Sequence, residues 1–146
     1  MKLIEQKGNL FELDQKYALV HCISLDCAMG QGIAIEFDKR FKDMKNTLIK
    51  KIKSNNLKHP ITIIHNSDNF QIFNLITKEK YWYKPTYKTI TECIKQMAYL
   101  CDKYQIKNLA MPKIGCGLDK LQWDKVKLII EQEFKDLDIE IIIRYL

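Results

Sequence analysis

Apolar positions recur along the chain in two alternating modes. Compact runs of strand length are followed by stretches that place an apolar residue every three or four positions. Leu3–Gln6 is a short strand candidate. Tyr17–Ile23 (YALVHCI) is apolar almost throughout, which predicts a strand buried on both faces. Gly32–Phe41 sets Ile33, Ala34, Phe37 and Phe41 on one side at helical spacing, and the lysine-rich Met44–Asn55 predicts a second helix. Pro60 opens a strand over Ile61–His65, and the polar turn Asn66–Asn69 returns the chain into Phe70–Ile76. Lys88–Tyr104 repeats Ile90, Ile94, Met97 and Cys101 along a long helix. Leu109–Met111 is a short strand, Trp123–Phe134 a helix, and Ile139–Tyr145 the last strand.

Strands alternating with helices predict a three-layer α/β/α architecture around one central sheet. The hairpin spanning Ile61–Ile76 makes that sheet mixed, though mostly parallel. At 146 residues, without a linker, repeat or low-complexity stretch, residues 1–146 read as a single domain. No apolar run approaches the roughly 18 residues a membrane span needs. Glu5 and Glu12 interrupt the segment where a secretion signal would be apolar, so the expected location is cytoplasmic. Five cysteines at wide spacings, with no C-x-x-C pair, read as reduced thiols. The net charge of +6 comes mainly from lysine; Arg40 and Arg144 are the two arginines. Solvated surface lysines explain that excess, and attraction for a phosphate-bearing ligand or a polyanion is the sharper reading.

The chemistry concentrates in three loops. Ser24–Gly32 leads into a helix and carries Gly30 and Gly32, which let the backbone approach a ligand while the helix N-terminus favours an anion. Met111–Asp119 follows a strand and places Gly115 and Gly117 on either side of Cys116. Two such loops in one small domain suit a pyrophosphate, whose oxygens take several backbone N–H donors at once. Asp119 is a carboxylate for proton transfer or the N-cap of the next helix. The third loop, Lys80–Tyr87, holds Lys84 before Pro85 among four aromatics. Proline biases Lys84 towards extended backbone, and apolar walls can make a lysine nucleophilic. Trp82 reads as core or as a lid. Cys116 reads as a packed small residue, since no histidine partner is evident. His21 reads as a core histidine, and His59 and His65 carry no metal spacing.

Taken together these residues resemble a macrodomain, the ADP-ribose-binding α/β/α fold, and within it the terminal ADP-ribose protein glycohydrolase subfamily. The resemblance rests on Lys7-Gly-Asn-Leu-Phe11, on His21-Cys-Ile-Ser24 with Met29-Gly-Gln-Gly-Ile-Ala34, on Lys84-Pro-Thr-Tyr87, and on Met111-Pro-Lys-Ile-Gly-Cys-Gly-Leu-Asp-Lys-Leu-Gln-Trp123. It implies a nucleophilic lysine at Lys84 and an acid/base carboxylate at Asp119. It implies that Lys113, Ile114, Gly115, Cys116, Gly117 and Leu118, with Pro112, wrap the pyrophosphate and the distal ribose. Gly30 and Gly32 would form the opposite phosphate wall, and Ser24, Met29, Ile33 and Thr86 would also contact ADP-ribose. Asn9 and Leu10 would border the adenine, and Leu146 would close that site. Asn9 stands where many macrodomains have Asp, which removes charge assistance from the adenine contact. Arg144 reads as a base-stacking or an exposed side chain.

The implied activity is hydrolysis of ADP-ribose from acidic side chains of mono-ADP-ribosylated proteins, and of O-acyl-ADP-ribose, through a lysyl adduct. The alternatives are removal of ADP-ribose from DNA, in the manner of an antitoxin, and a non-catalytic ADP-ribose reader. The expected partners are ADP-ribose and mono-ADP-ribosylated protein, with ADP-ribosylated nucleic acid under the alternative. No cofactor, metal or membrane is expected, and the expected state is a monomer.

Overall fold

The computed structural model describes residues 1–146. Six strands form one sheet: β1 (Lys2–Lys7), β2 (Ala18–Ser24), β3 (Ile61–Ser67), β4 (Phe70–Lys78), β5 (Asn108–Met111) and β6 (Glu140–Tyr145). Their order across the sheet is β1-β6-β5-β2-β4-β3. Every neighbouring pair is parallel except β3 with β4, so the sheet is mixed in the expected way. Four helices cover it: α1 (Ile33–Arg40), α2 (Met44–Ser54), α3 (Tyr87–Lys103) and α4 (Trp123–Phe134). None is long and apolar enough to cross a membrane.

Both faces of the sheet are buried because successive strand residues point to opposite sides. Val20, Phe73, Leu75, Ile141 and Ile143 meet Ile90, Ile94 and Met97 of α3 and Val126, Ile130 and Phe134 of α4. Their neighbours Leu19, Ile72, Ile76 and Ile142 meet Phe37 of α1 and Met44, Leu48 and Ile52 of α2. His21 belongs to this second face. It is fully buried, stacks on Phe37 at 3.9 Å between ring centroids, and shares a 2.6 Å hydrogen bond through Nε2 with Asn74 Oδ1. It is a core histidine, as expected.

Several element ends differ from the expected ones. A single turn of 3-10 helix at Leu10–Glu12 follows β1, capped by the Asn9 side chain, which accepts from the Phe11 amide at 2.9 Å. The β3–β4 turn narrows to two residues, with Asp68 at φ +52° supplying the left-handed twist a tight hairpin needs. Helix α3 starts one residue early because Thr86 and Thr89 form a reciprocal capping box. Strand β4 runs two residues beyond Ile76, to Lys78.

The outer edge of β3 is covered by a side chain of α3. The Thr62 amide donates to Gln96 Oε1 at 2.8 Å, and Gln96 Nε2 donates to the Pro60 carbonyl at 3.3 Å.

Candidate active site

Strands β5, β2 and β4 lie side by side and run parallel, so their carboxyl ends open on the same edge of the sheet. The loops that follow them enclose a cavity of about 510 Å³. This is the place where open α/β sheets bind ligands.

One wall is the loop after β2. Ser24, Met29, Gly30, Gly32 and Ile33, all anticipated, line the cavity with Ala28 and Gln31. Cys27, Met29 and Gly32 have φ of +54°, +47° and +60°. A left-handed backbone at two non-glycine residues costs free energy, and such strain collects at ligand sites. Gly32 begins α1 with no side chain capping it. The free amides of the first helical turn are therefore available to an anion.

The opposite wall is the loop after β5. Pro112, Lys113, Ile114, Gly115, Gly117, Leu118 and Asp119 line it, again as anticipated. Gly115 has φ +73°, and an added Cβ would stand 2.8 Å from Ile90 Cδ1. Asp119 caps no helix, because α4 begins after Gln122.

The floor contains a residue that the sequence reading left out. Lys78, the last residue of β4, lines the cavity, and its Nζ donates to Asp119 Oδ1 at 2.7 Å. The two side chains are only 13% and 16% exposed. Lys84 is exposed and lines no part of the cavity. Its Nζ donates to the Leu118 carbonyl at 2.6 Å, tying the loop after β4 to the loop after β5. The structure therefore pairs Asp119 with Lys78 and leaves Lys84 as a tie between loops.

A register shift explains the placement of Lys78. Ile23 pairs with Ile76, but Ser24 pairs with Lys78, so Thr77 is an extra residue in β4. Such a bulge re-aims the next side chain. Ile76 lies in the apolar core, while Lys78 reaches the cavity. Tyr81, three residues on, also lines the cavity, and its amide donates to Asp26 Oδ2 at 3.2 Å.

Cysteine chemistry is disfavoured here. Cys22 lines the cavity, but burial pushes its thiol well above its ordinary range. Burial also pushes Cys116 up to about 11. Neither is a thiolate near neutral pH, which leaves the Lys78–Asp119 pair as the one ion pair among the residues that line the cavity.

Residues 20–130 match the Macro domain family. The chain is a macrodomain. It is 42% identical over 135 residues to the ADP-ribose glycohydrolase OARD1 of Bos taurus, a match covering 92% of this chain and 86% of the relative. It is 26% identical over 137 residues to a DNA ADP-ribosyl glycohydrolase of Thermus aquaticus, covering 90% of this chain and 38% of the relative. The macrodomain of Mycobacterium tuberculosis DarG shares the fold with a TM-score of 0.89 at 22% identity, covering 99% of this chain and 97% of that one.

Within this macrodomain, five further anticipated residues lie outside the cavity. Asn9 turns its side chain to its own backbone as a cap. Leu10 is buried and lines a separate apolar cleft with Phe11 and Phe41. Thr86 is used as the α3 cap. Cys116 packs against the core beneath the loop and donates to the Ile114 carbonyl. Leu146 is 95% exposed. Arg144 neither stacks nor hangs free: it donates to Gln6 Oε1 at 2.6 Å and to the Asn9 carbonyl at 3.0 Å.

Proposed function

We propose that this macrodomain is a hydrolase that releases ADP-ribose from acidic side chains of mono-ADP-ribosylated proteins, with Lys78 as nucleophile and Asp119 as its proton partner. The observation that carries this reading is the Lys78–Asp119 pair, held at 2.7 Å inside a cavity with two glycine-bearing walls. Reading ADP-ribose without cleaving it requires no such pair. The 42% identity to an ADP-ribose glycohydrolase supports the same conclusion.

The pair supplies the chemistry in sequence. Proton transfer along the hydrogen bond leaves Lys78 a neutral amine and Asp119 a neutral acid. The amine attacks the anomeric carbon C1″ of the distal ribose. The Nζ–C1″ bond forms as the C1″–O bond to the acyl group breaks, and the carboxylate leaves with the electron pair. Nζ then loses one proton to solvent and forms a C1″=Nζ double bond as the C1″–O4″ bond breaks, and Asp119 gives its proton to O4″. Water adds its oxygen to C1″, the Nζ–C1″ bond breaks, both protons of that water restore the ammonium, and O4″ closes again on the C1″ aldehyde. The same steps cleave O-acyl-ADP-ribose, whose leaving carboxylate is smaller.

The test is release of free ADP-ribose, followed by mass spectrometry, from a glutamate-linked mono-ADP-ribosylated protein. Lys78→Ala and Asp119→Ala are each expected to slow release about a thousandfold, and Lys84→Ala to slow it less than about tenfold. An inactive Lys84→Ala beside an active Lys78→Ala would return the nucleophile to Lys84. Release only from an ADP-ribosylated DNA oligomer would favour a DNA substrate, and binding without release from any substrate would make the protein a reader.

A further inference from the structure

The mouth of the cavity is bordered by an exposed apolar ridge that the reaction at C1″ does not use. Tyr81, Trp82 and Tyr83 are 51%, 60% and 47% exposed. The rings of Tyr81 and Trp82 meet at 86° with centroids 4.9 Å apart, and those of Trp82 and Tyr83 at 82° and 5.7 Å. The ridge is fixed to the rest of the site. The Tyr81 amide is held by Asp26, the Tyr83 amide donates to the Lys80 carbonyl, and Lys84 ties the loop to Leu118. Leu118 lines the cavity and is itself 57% exposed. Contiguous exposed apolar surface of this kind marks an interaction site.

We propose that this ridge docks the polypeptide that carries the ADP-ribose, and that it selects acidic sequence around the modified side chain. The inference rests on the hydrolase reading above. Position supports it, because Tyr81 belongs to both the cavity wall and the ridge, and Trp82, packed edge-on against Tyr81, and Tyr83 continue from it outside the lining. Charge supports it as well. Lys80 and Lys84 flank the three aromatics and Glu79 is the one acidic residue between Lys78 and Lys84, while Asp26, the carboxylate at the base of the ridge, is occupied by the Tyr81 amide and the Ser24 hydroxyl. Shape favours a peptide over a nucleic acid. Rings alternating at nearly right angles make a corrugated ridge with notches for side chains, whereas stacked bases require open parallel faces.

The experiment compares kcat/KM on three substrates: ADP-ribose esterified to a single glutamate, the same ester within a peptide of acidic flanks, and an ADP-ribosylated single-stranded oligonucleotide. Wild type and Trp82→Ala/Tyr83→Ala are assayed at low and high salt. The double variant is expected to lose about tenfold on the acidic peptide, through KM, while staying within about twofold of wild type on the single-residue ester. Salt is expected to raise KM for the acidic peptide more than for the single-residue ester. Equal losses on ester and peptide, or none on either, would overturn the docking role. A loss confined to the oligonucleotide would replace the peptide with a nucleic acid. Wild type that leaves even the single-residue ester intact would instead remove the hydrolase reading, and this inference with it.

Discussion

Lys78 and Lys84 carry the same functional group six positions apart, and their surroundings separate them. The Lys84 ammonium sits in solvent on a carbonyl oxygen, a group that cannot take its proton. The Lys78 ammonium sits on a carboxylate that can. His21 illustrates a second effect of surroundings. Burial lowers its pKa from 6.5 to about 4, against a smaller opposing effect of the Asn74 hydrogen bond. Between those values the unfolded chain binds a proton that the folded chain excludes. Stability is whole above about pH 6.5 and falls as pH drops through the window, by about 3 kcal/mol at its lower end. Urea melts of wild type between pH 7 and pH 4.5 are expected to show this slope. In His21→Gln the slope is expected to flatten, and a slope unchanged in that variant would place its origin elsewhere.

Among the elements, strands and helices were legible because their periods are carried by many residues at once. The glycine-bearing loops were legible because Gly30, Gly32, Gly115 and Gly117 stand between clear strands and helices. The place of Lys78 in the cavity was not. Apolar alternation stops at Ile76, and Thr77-Lys78-Glu79-Lys80 reads as the start of a polar loop. Only pairing with β2, and the extra residue Thr77, extends β4 to Lys78, and that pairing joins residues more than 50 positions apart. Lys84 stands out in the sequence through its proline and its aromatic neighbours, features that shape its loop without bringing it into the cavity. The turn at Leu10–Glu12 is too short to leave a period, so the capping use of Asn9 was equally hidden. The two glycines around Cys116 separate cleanly. Gly115→Ala meets Ile90 and a left-handed φ, and is expected to lose roughly 1–3 kcal/mol. At Gly117 an added Cβ has no neighbour within 4 Å, so Gly117→Ala is expected to melt within about 0.5 kcal/mol of wild type. Thermal denaturation of both variants checks the contrast.

At the scale of the molecule, the site is a product of topology. The three loops that enclose the cavity come from distant parts of the chain, and the two cores on either face of the sheet set the distances between them. The cavity opens on the sheet's carboxyl end, while its flanks face other hazards. A strand with unpaired amides and carbonyls invites another chain to add to the sheet. On β1 the residues Lys2, Glu5 and Lys7 oppose that with charge. On β3 the guard is Gln96, which occupies a donor and an acceptor of the edge with one amide. Gln96→Ala is expected to cost about 1 kcal/mol and to leave turnover unchanged. Its larger effect lies in solution behaviour. A concentrated sample, warmed towards its melting point, is expected to scatter light before wild type does. One uncharged side chain, remote from the chemistry, would then govern how crowded a compartment this protein can occupy before copies add to one another edge to edge.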